Sequence, residues 1–106
     1  MTVHESTLEQ TVAMIVQLAD PDRVILFGSA ATGEMTADRD LDLLVVESRV
    51  SNTRHESIRL RAPLEDVPFP IDVIVMTRER FEETKDVIGA IAYPANKYGR
   101  VFYEAA

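Results

Sequence analysis

Apolar positions along this chain fall into runs of two kinds. From about residue 6 to residue 19 they recur at helical spacing, at Leu8, Val12, Ile15 and then Leu18 or Ala19. Ser6 and Glu9 fit a capping box at the start of that helix, and Asp20-Pro21 stops it. Residues 23–27 and 41–47 are apolar on both faces, as strands inside a covered sheet are. Residues 71–76 (Ile-Asp-Val-Ile-Val-Met) predict a third strand.

The segments between these runs predict helices. A short one follows Ser29, built on Ala30 and Ala31 and ended by Gly33. Another covers about 53–62, with Thr53 and Glu56 as a capping box and a weak apolar face carried by Ile58 and Leu64. Pro63, Pro68 and Pro70 make the following stretch irregular. Thr77 caps a helix running to about Asp86, with Phe81 facing inward. The tail residues Ile88, Ile91, Tyr93, Tyr98, Val101, Phe102 and Tyr103 predict a short helix and a terminal extended piece packed on the core. This order of elements is that of an α/β domain, with room for strands of mixed direction.

The 106 residues amount to one domain, 1–106, able to bury roughly two-thirds of its unfolded surface but with little room for a second, substrate-binding unit. The chain has no cysteine, which excludes disulfides and thiolate zinc sites. No charged stretch followed by an apolar run opens it, and no apolar run approaches the ~20 residues of a membrane span. A soluble, cytoplasmic protein with no membrane partner is the expectation. The net charge of −7 argues against a general nucleic-acid binder, and it would repel ATP unless metal ions screened the site. The arginines at 54, 59, 61, 78 and 80 read as solvated helix faces in preference to a basic patch for an acidic partner.

Candidate chemistry gathers where runs end. Gly28-Ser29 closes the first strand; a glycine there admits close backbone approach to a phosphate, and a helix just after it would aim free N–H groups at an anion. The same pair singly is most often just a turn. Asp40 and Asp42 open the second strand and share a face, about 7 Å apart from the strand rise. Asp72 lies among apolar neighbours, where an ionised carboxylate is costly unless paired or bound to a cation. It could complete a three-carboxylate cluster suited to Mg²⁺, sit at a strand edge, or pair with an arginine such as Arg39. His4 and His55 are isolated in polar segments, and the Walker and GxGxxG fingerprints are absent.

Leu26-Phe27-Gly28-Ser29, ten residues, then Asp40-Leu41-Asp42-Leu43-Leu44-Val45 resembles the GSx10DxD pattern of the DNA polymerase β-like nucleotidyltransferases. The chain is most similar to their minimal members, small stand-alone domains. Ile71-Asp72-Val73-Ile74-Val75-Met76-Thr77 followed by Arg80-Phe81-Glu82 resembles their third-acid strand and the helix after it. Ile91-Ala92-Tyr93-Pro94 and Gly99-Arg100-Val101-Phe102-Tyr103-Glu104 are similar too, so the likeness covers nearly the whole chain. Members often carry Arg just after Gly-Ser and Ser just before the first acid; this chain has Ala30 and Arg39.

The resemblance implies a small mixed sheet flanked by helices. It implies that Gly28 and Ser29 hold the β- and γ-phosphates of a nucleoside triphosphate. Asp40 and Asp42 would bind two Mg²⁺ ions, and Asp72 would ligate the catalytic ion and help deprotonate the acceptor. The expected activity is transfer of AMP from ATP to a tyrosine hydroxyl of a HEPN-domain toxin, the chain acting as antitoxin. Two rivals are an antitoxin that neutralises by contact alone, and an enzyme acting on a small hydroxylated compound.

Overall fold

The computed structural model describes residues 5–28, 41–67 and 70–105. Helix α1 (Glu5–Ala19) buries Leu8, Val12 and Ile15, the stripe its spacing demands. Leu18 is exposed, so Ala19 provides the next contact. The helix already includes Glu5, which puts Ser6 inside the first turn and not at the cap. At the other end Asp20 takes a left-handed φ of 47°, and its N–H donates to the Val16 carbonyl at 2.9 Å. That closes the last turn, and Pro21 cannot extend it.

Among the described residues four strands form one sheet in the order β3-β2-β1-β4. Strand β1 (Arg23–Phe27) is antiparallel to both β2 (Leu41–Glu47) and β4 (Arg100–Glu104). Strand β3 (Ile71–Thr77) runs parallel to β2. The sheet is therefore mixed, and the expected terminal extended piece is an edge strand beside β1.

Side chains alternate between two cores, as the strand period requires. Val24, Leu26, Leu41, Leu43, Val45, Val73 and Val75 pack under α1, with Leu60 and Leu64. Ile25, Leu44 and Val46 pack on the opposite face against Phe81, Ala92 and Ala95, joined by Phe27, Ile74 and Met76. No helix among the described residues is long and apolar enough to cross a membrane.

Helix α2 (Thr53–Arg61) departs from expectation in two ways. Its cap is Asn52, whose side-chain oxygen accepts the His55 N–H at 3.0 Å, and not Thr53. Glu56, freed from the capping box, binds Arg59 through two hydrogen bonds of 2.7 and 2.9 Å. The inward residue is Leu60, fully buried, while Ile58 is 60 % exposed. Leu64 is buried from the 3-10 turn (Ala62–Leu64) that follows. Helix α3 (Arg78–Thr84) starts as expected, with the Thr77 hydroxyl accepting the Arg80 N–H at 3.1 Å and Phe81 buried, but it ends at Thr84, short of Asp86. Helix α4 (Ala92–Tyr98) ends at Gly99, where a Cβ would lie 2.5 Å from Ile25 and 2.3 Å from the Ala95 carbonyl oxygen. The absent side chain lets the end of α4 press against β1.

Glu47, at the far end of β2, is 4 % exposed, and its Oε2 has no hydrogen-bond partner. Burial, then a hydrogen bond to Glu56 and the charge of that neighbour, push its carboxyl from 4.5 up to about 8; Arg59 opposes the shift and Asp22 adds to it. Glu56 moves the other way, held down chiefly by Arg59. A carboxyl whose pKa rises on folding binds its proton more tightly in the native state. Its contribution to stability is complete below pH 4.5 and is lost as pH climbs through about 8.

Two substitutions test this packing. Leu60→Ala should cost about 2–5 kcal/mol in urea denaturation, whereas Ile58→Ala should cost under about 0.5 kcal/mol. Glu47→Gln should raise the melting temperature by several degrees at pH 8.5 and leave it nearly unchanged at pH 5. An equal shift at both values would contradict the burial of a protonated Glu47.

Candidate functional site

The end of β1 and the beginnings of β2 and β3 meet at one end of the sheet. Phe27 stands opposite Asp42 across the antiparallel pair, and Asp42 stands opposite Asp72 across the parallel pair. The three make a row over adjacent strands. Partners in register face the same way, so both carboxylates lie on the face shared with Phe27 and Ile74, with backbones about 4.8 Å apart. Like charges placed so are destabilising unless a cation offsets them.

Gly28 leaves space for this arrangement. Its φ is +80°, and a Cβ built on it would fall 2.5 Å from Asp42 Oδ2. The sequence assigned this glycine a role in approaching phosphate; the structure shows that its missing side chain makes room for the Asp42 carboxylate. The positive φ adds a second reason for glycine.

Of the alternatives the sequence left for Asp72, the structure takes the strand edge and an arginine pairing: it is the second residue of the edge strand β3, and its side chain is 53 % exposed. Its arginine partner is Arg61, with Nη2 2.7 Å from Oδ1. Arg39, the pairing considered from sequence, lies outside the described residues, as do Ser29, Asp40 and the helix expected after Ser29. The structure thus brings together Gly28, Asp42 and Asp72 from the expected set, and adds Arg61. Among the described residues no group of three or more His, Asp or Glu is placed to hold a metal ion.

The donor chemistry of the acid pair nonetheless suits a hard divalent cation. Asp42 and Asp72 offer carboxylate oxygens side by side at a partly exposed sheet end, and magnesium sites take one or two carboxylates together with substrate phosphates. The opposite end of β2 holds a cavity of about 450 Å³ lined by Glu47, Asn52, His55, Glu56 and Arg59. There Arg59 already serves Glu56, and Glu47 keeps a proton at neutral pH, so that end is poorly suited to a cation.

Gly28→Ala should cost about 1–2 kcal/mol from the left-handed backbone alone, and more from contact with Asp42. In an Asp42→Ala background the contact part should vanish. A double-mutant cycle read by urea denaturation would therefore show coupling between the two positions; additive costs would contradict the close approach.

A family model described as a nucleotidyltransferase domain matches residues 8–95. The fold is shared with the crystal structure of a Sulfolobus solfataricus protein assigned as a nucleotidyltransferase, at a TM-score of 0.61 and 17 % identity over 93 % of this chain and 78 % of that one. Identity that low speaks for the fold alone. No curated protein shows significant similarity to the chain. The family match spans most of the chain and takes in Gly28, Asp42 and Asp72. The chain belongs to the nucleotidyltransferase domain family, whose chemistry is the transfer of nucleotidyl groups from nucleoside triphosphates.

Proposed function

We propose that this domain transfers AMP from ATP to a hydroxyl in a magnesium-dependent reaction, and that the acceptor is a tyrosine of a HEPN-type toxin, so that the chain acts as an antitoxin. The observation that carries the transfer reading is the row of Phe27, Asp42 and Asp72, with Gly28 pressed against the Asp42 carboxylate. The acceptor reading rests on the sequence likeness to minimal nucleotidyltransferases. A half-exposed Asp72 at an open sheet end also leaves room for a side chain presented by another protein.

In this reading Asp42 and Asp72, with Asp40 from the preceding segment, would hold the magnesium ions, which when bound would offset phosphate charge and make the attacking hydroxyl more acidic. Gly28 and Ser29 take the β- and γ-phosphates. The acceptor oxygen attacks the α-phosphorus, the bond from that phosphorus to the bridging oxygen breaks, and pyrophosphate leaves. The hydroxyl proton passes to the Asp72 carboxylate.

The test is incubation with Mg²⁺, the partner protein and ATP labelled at either the α- or the γ-phosphate. The α-label should appear on the partner and the γ-label in pyrophosphate. Asp42→Asn should lower the transfer about 100-fold or more, because it removes a metal-holding charge. Equal labelling by wild type and Asp42→Asn would sink the catalytic reading; neutralisation of the toxin that survives this substitution would favour an antitoxin acting by contact.

A further inference from the structure

Arg61 is the cation that the structure adds to the acid pair. It is the last residue of α2, whose buried Leu60 anchors the helix under the sheet face opposite the carboxylates. From there its guanidinium reaches Asp72 at the β3 edge. Among the described residues Nη2 to Asp72 Oδ1 is its one hydrogen bond, which leaves most of its five N–H donors uncommitted. Both partners are 53 % exposed, and an ion pair so exposed is worth about 0–1 kcal/mol. Arg61 therefore neutralises Asp72 without holding it firmly.

An incoming nucleoside triphosphate meets a chain with a net charge of −7, and the three residues after Gly28 (Ser29, Ala30 and Ala31) supply no cation to its phosphates. A planar guanidinium is well matched to phosphate oxygens. Resting on the transfer reading above, we propose that Arg61 is both a displaceable guard of Asp72 and a phosphate-binding residue. In the nucleotide-free protein it occupies an oxygen of Asp72 in place of a divalent cation. When metal and nucleotide enter together, it exchanges that oxygen for a triphosphate oxygen. Salt-bridge exchange makes the two binding events depend on one another: a divalent ion alone must compete with Arg61, whereas ion and triphosphate together give Arg61 a new partner.

The experiment compares wild type, Arg61→Gln, Arg61→Lys and Asp42→Asn by binding and not by turnover. Mn²⁺ alone is titrated by electron paramagnetic resonance, and Mn²⁺ with a non-hydrolysable ATP analogue by calorimetry. Thermal melts should show all four folded, because Arg61 is exposed and Asp42→Asn keeps the size of the side chain beside Gly28. Arg61→Gln should bind Mn²⁺ alone several-fold more tightly and the Mn²⁺–analogue pair about tenfold more weakly, the worth of one charge-assisted hydrogen bond. Arg61→Lys should keep part of both effects. Changes in the same direction for both ligands, or no change in either, would overturn the exchange. If wild type binds the Mn²⁺–analogue pair and Asp42→Asn does not, while Arg61→Gln matches wild type, the Arg61 role alone fails. If wild type binds no better than Asp42→Asn, the transfer reading fails and takes the exchange with it.

Discussion

The parallel register between β2 and β3 is the constraint on which the rest of the structure depends. It aligns Leu43 with Val73 and Val45 with Val75, all four buried in the core under α1. The same alignment sets Asp42 beside Asp72. A slip of one residue would turn every β3 side chain to the other face of the sheet, exchanging Val73 and Val75 for Asp72 and Ile74. Each fully buried aliphatic side chain is worth about 1.5–3 kcal/mol, against about 0.2–1 kcal/mol for like charges set opposite one another. The apolar rows outweigh the repulsion, and the acid pair is fixed by contacts on the side of the sheet it does not occupy.

Three strands, the stop of α1 and the start of α3 were legible because their signals are local. Residues 23–27 and 41–47 are apolar on both faces, and a helix-lined core covers each face of the sheet. Asp20-Pro21 ends α1 through one left-handed residue, and Thr77 caps α3 with its own hydroxyl. The face of α2 was not legible. Leu60 lies between Arg59 and Arg61, and a nine-residue helix offers too few turns for its apolar side to stand out. Its cap was misplaced by one residue because Asn52 and Thr53 are both competent, and Glu56 was claimed by Arg59.

The site was half legible for a related reason. That Asp42 and Asp72 share a face follows from alternation once the two strands are neighbours in register. That β3 lies at the edge, leaving Asp72 exposed, depends on the strand order. Pairing with Arg61 depends on where α2 sits over that edge. Neither is written in the local pattern around residue 72. The burial of Glu47 was illegible for the same cause: a glutamate closing a strand looks solvated until the fold sets Glu56 against it.

Glu47 also alters what the protein presents at a distance. The formal charge counts every carboxyl as ionised, yet this one keeps its proton until pH approaches about 8. At neutral pH the folded chain is therefore one unit less negative than its sequence implies, and the missing unit is at the end of β2 remote from Asp42. Across mildly alkaline conditions the molecule acquires that last negative charge without changing a residue. Long-range attraction of a basic partner and repulsion of a triphosphate both strengthen over the same interval. Loss of the fold would release the proton at any pH above about 5, so the unfolded chain carries the charge that the native one conceals.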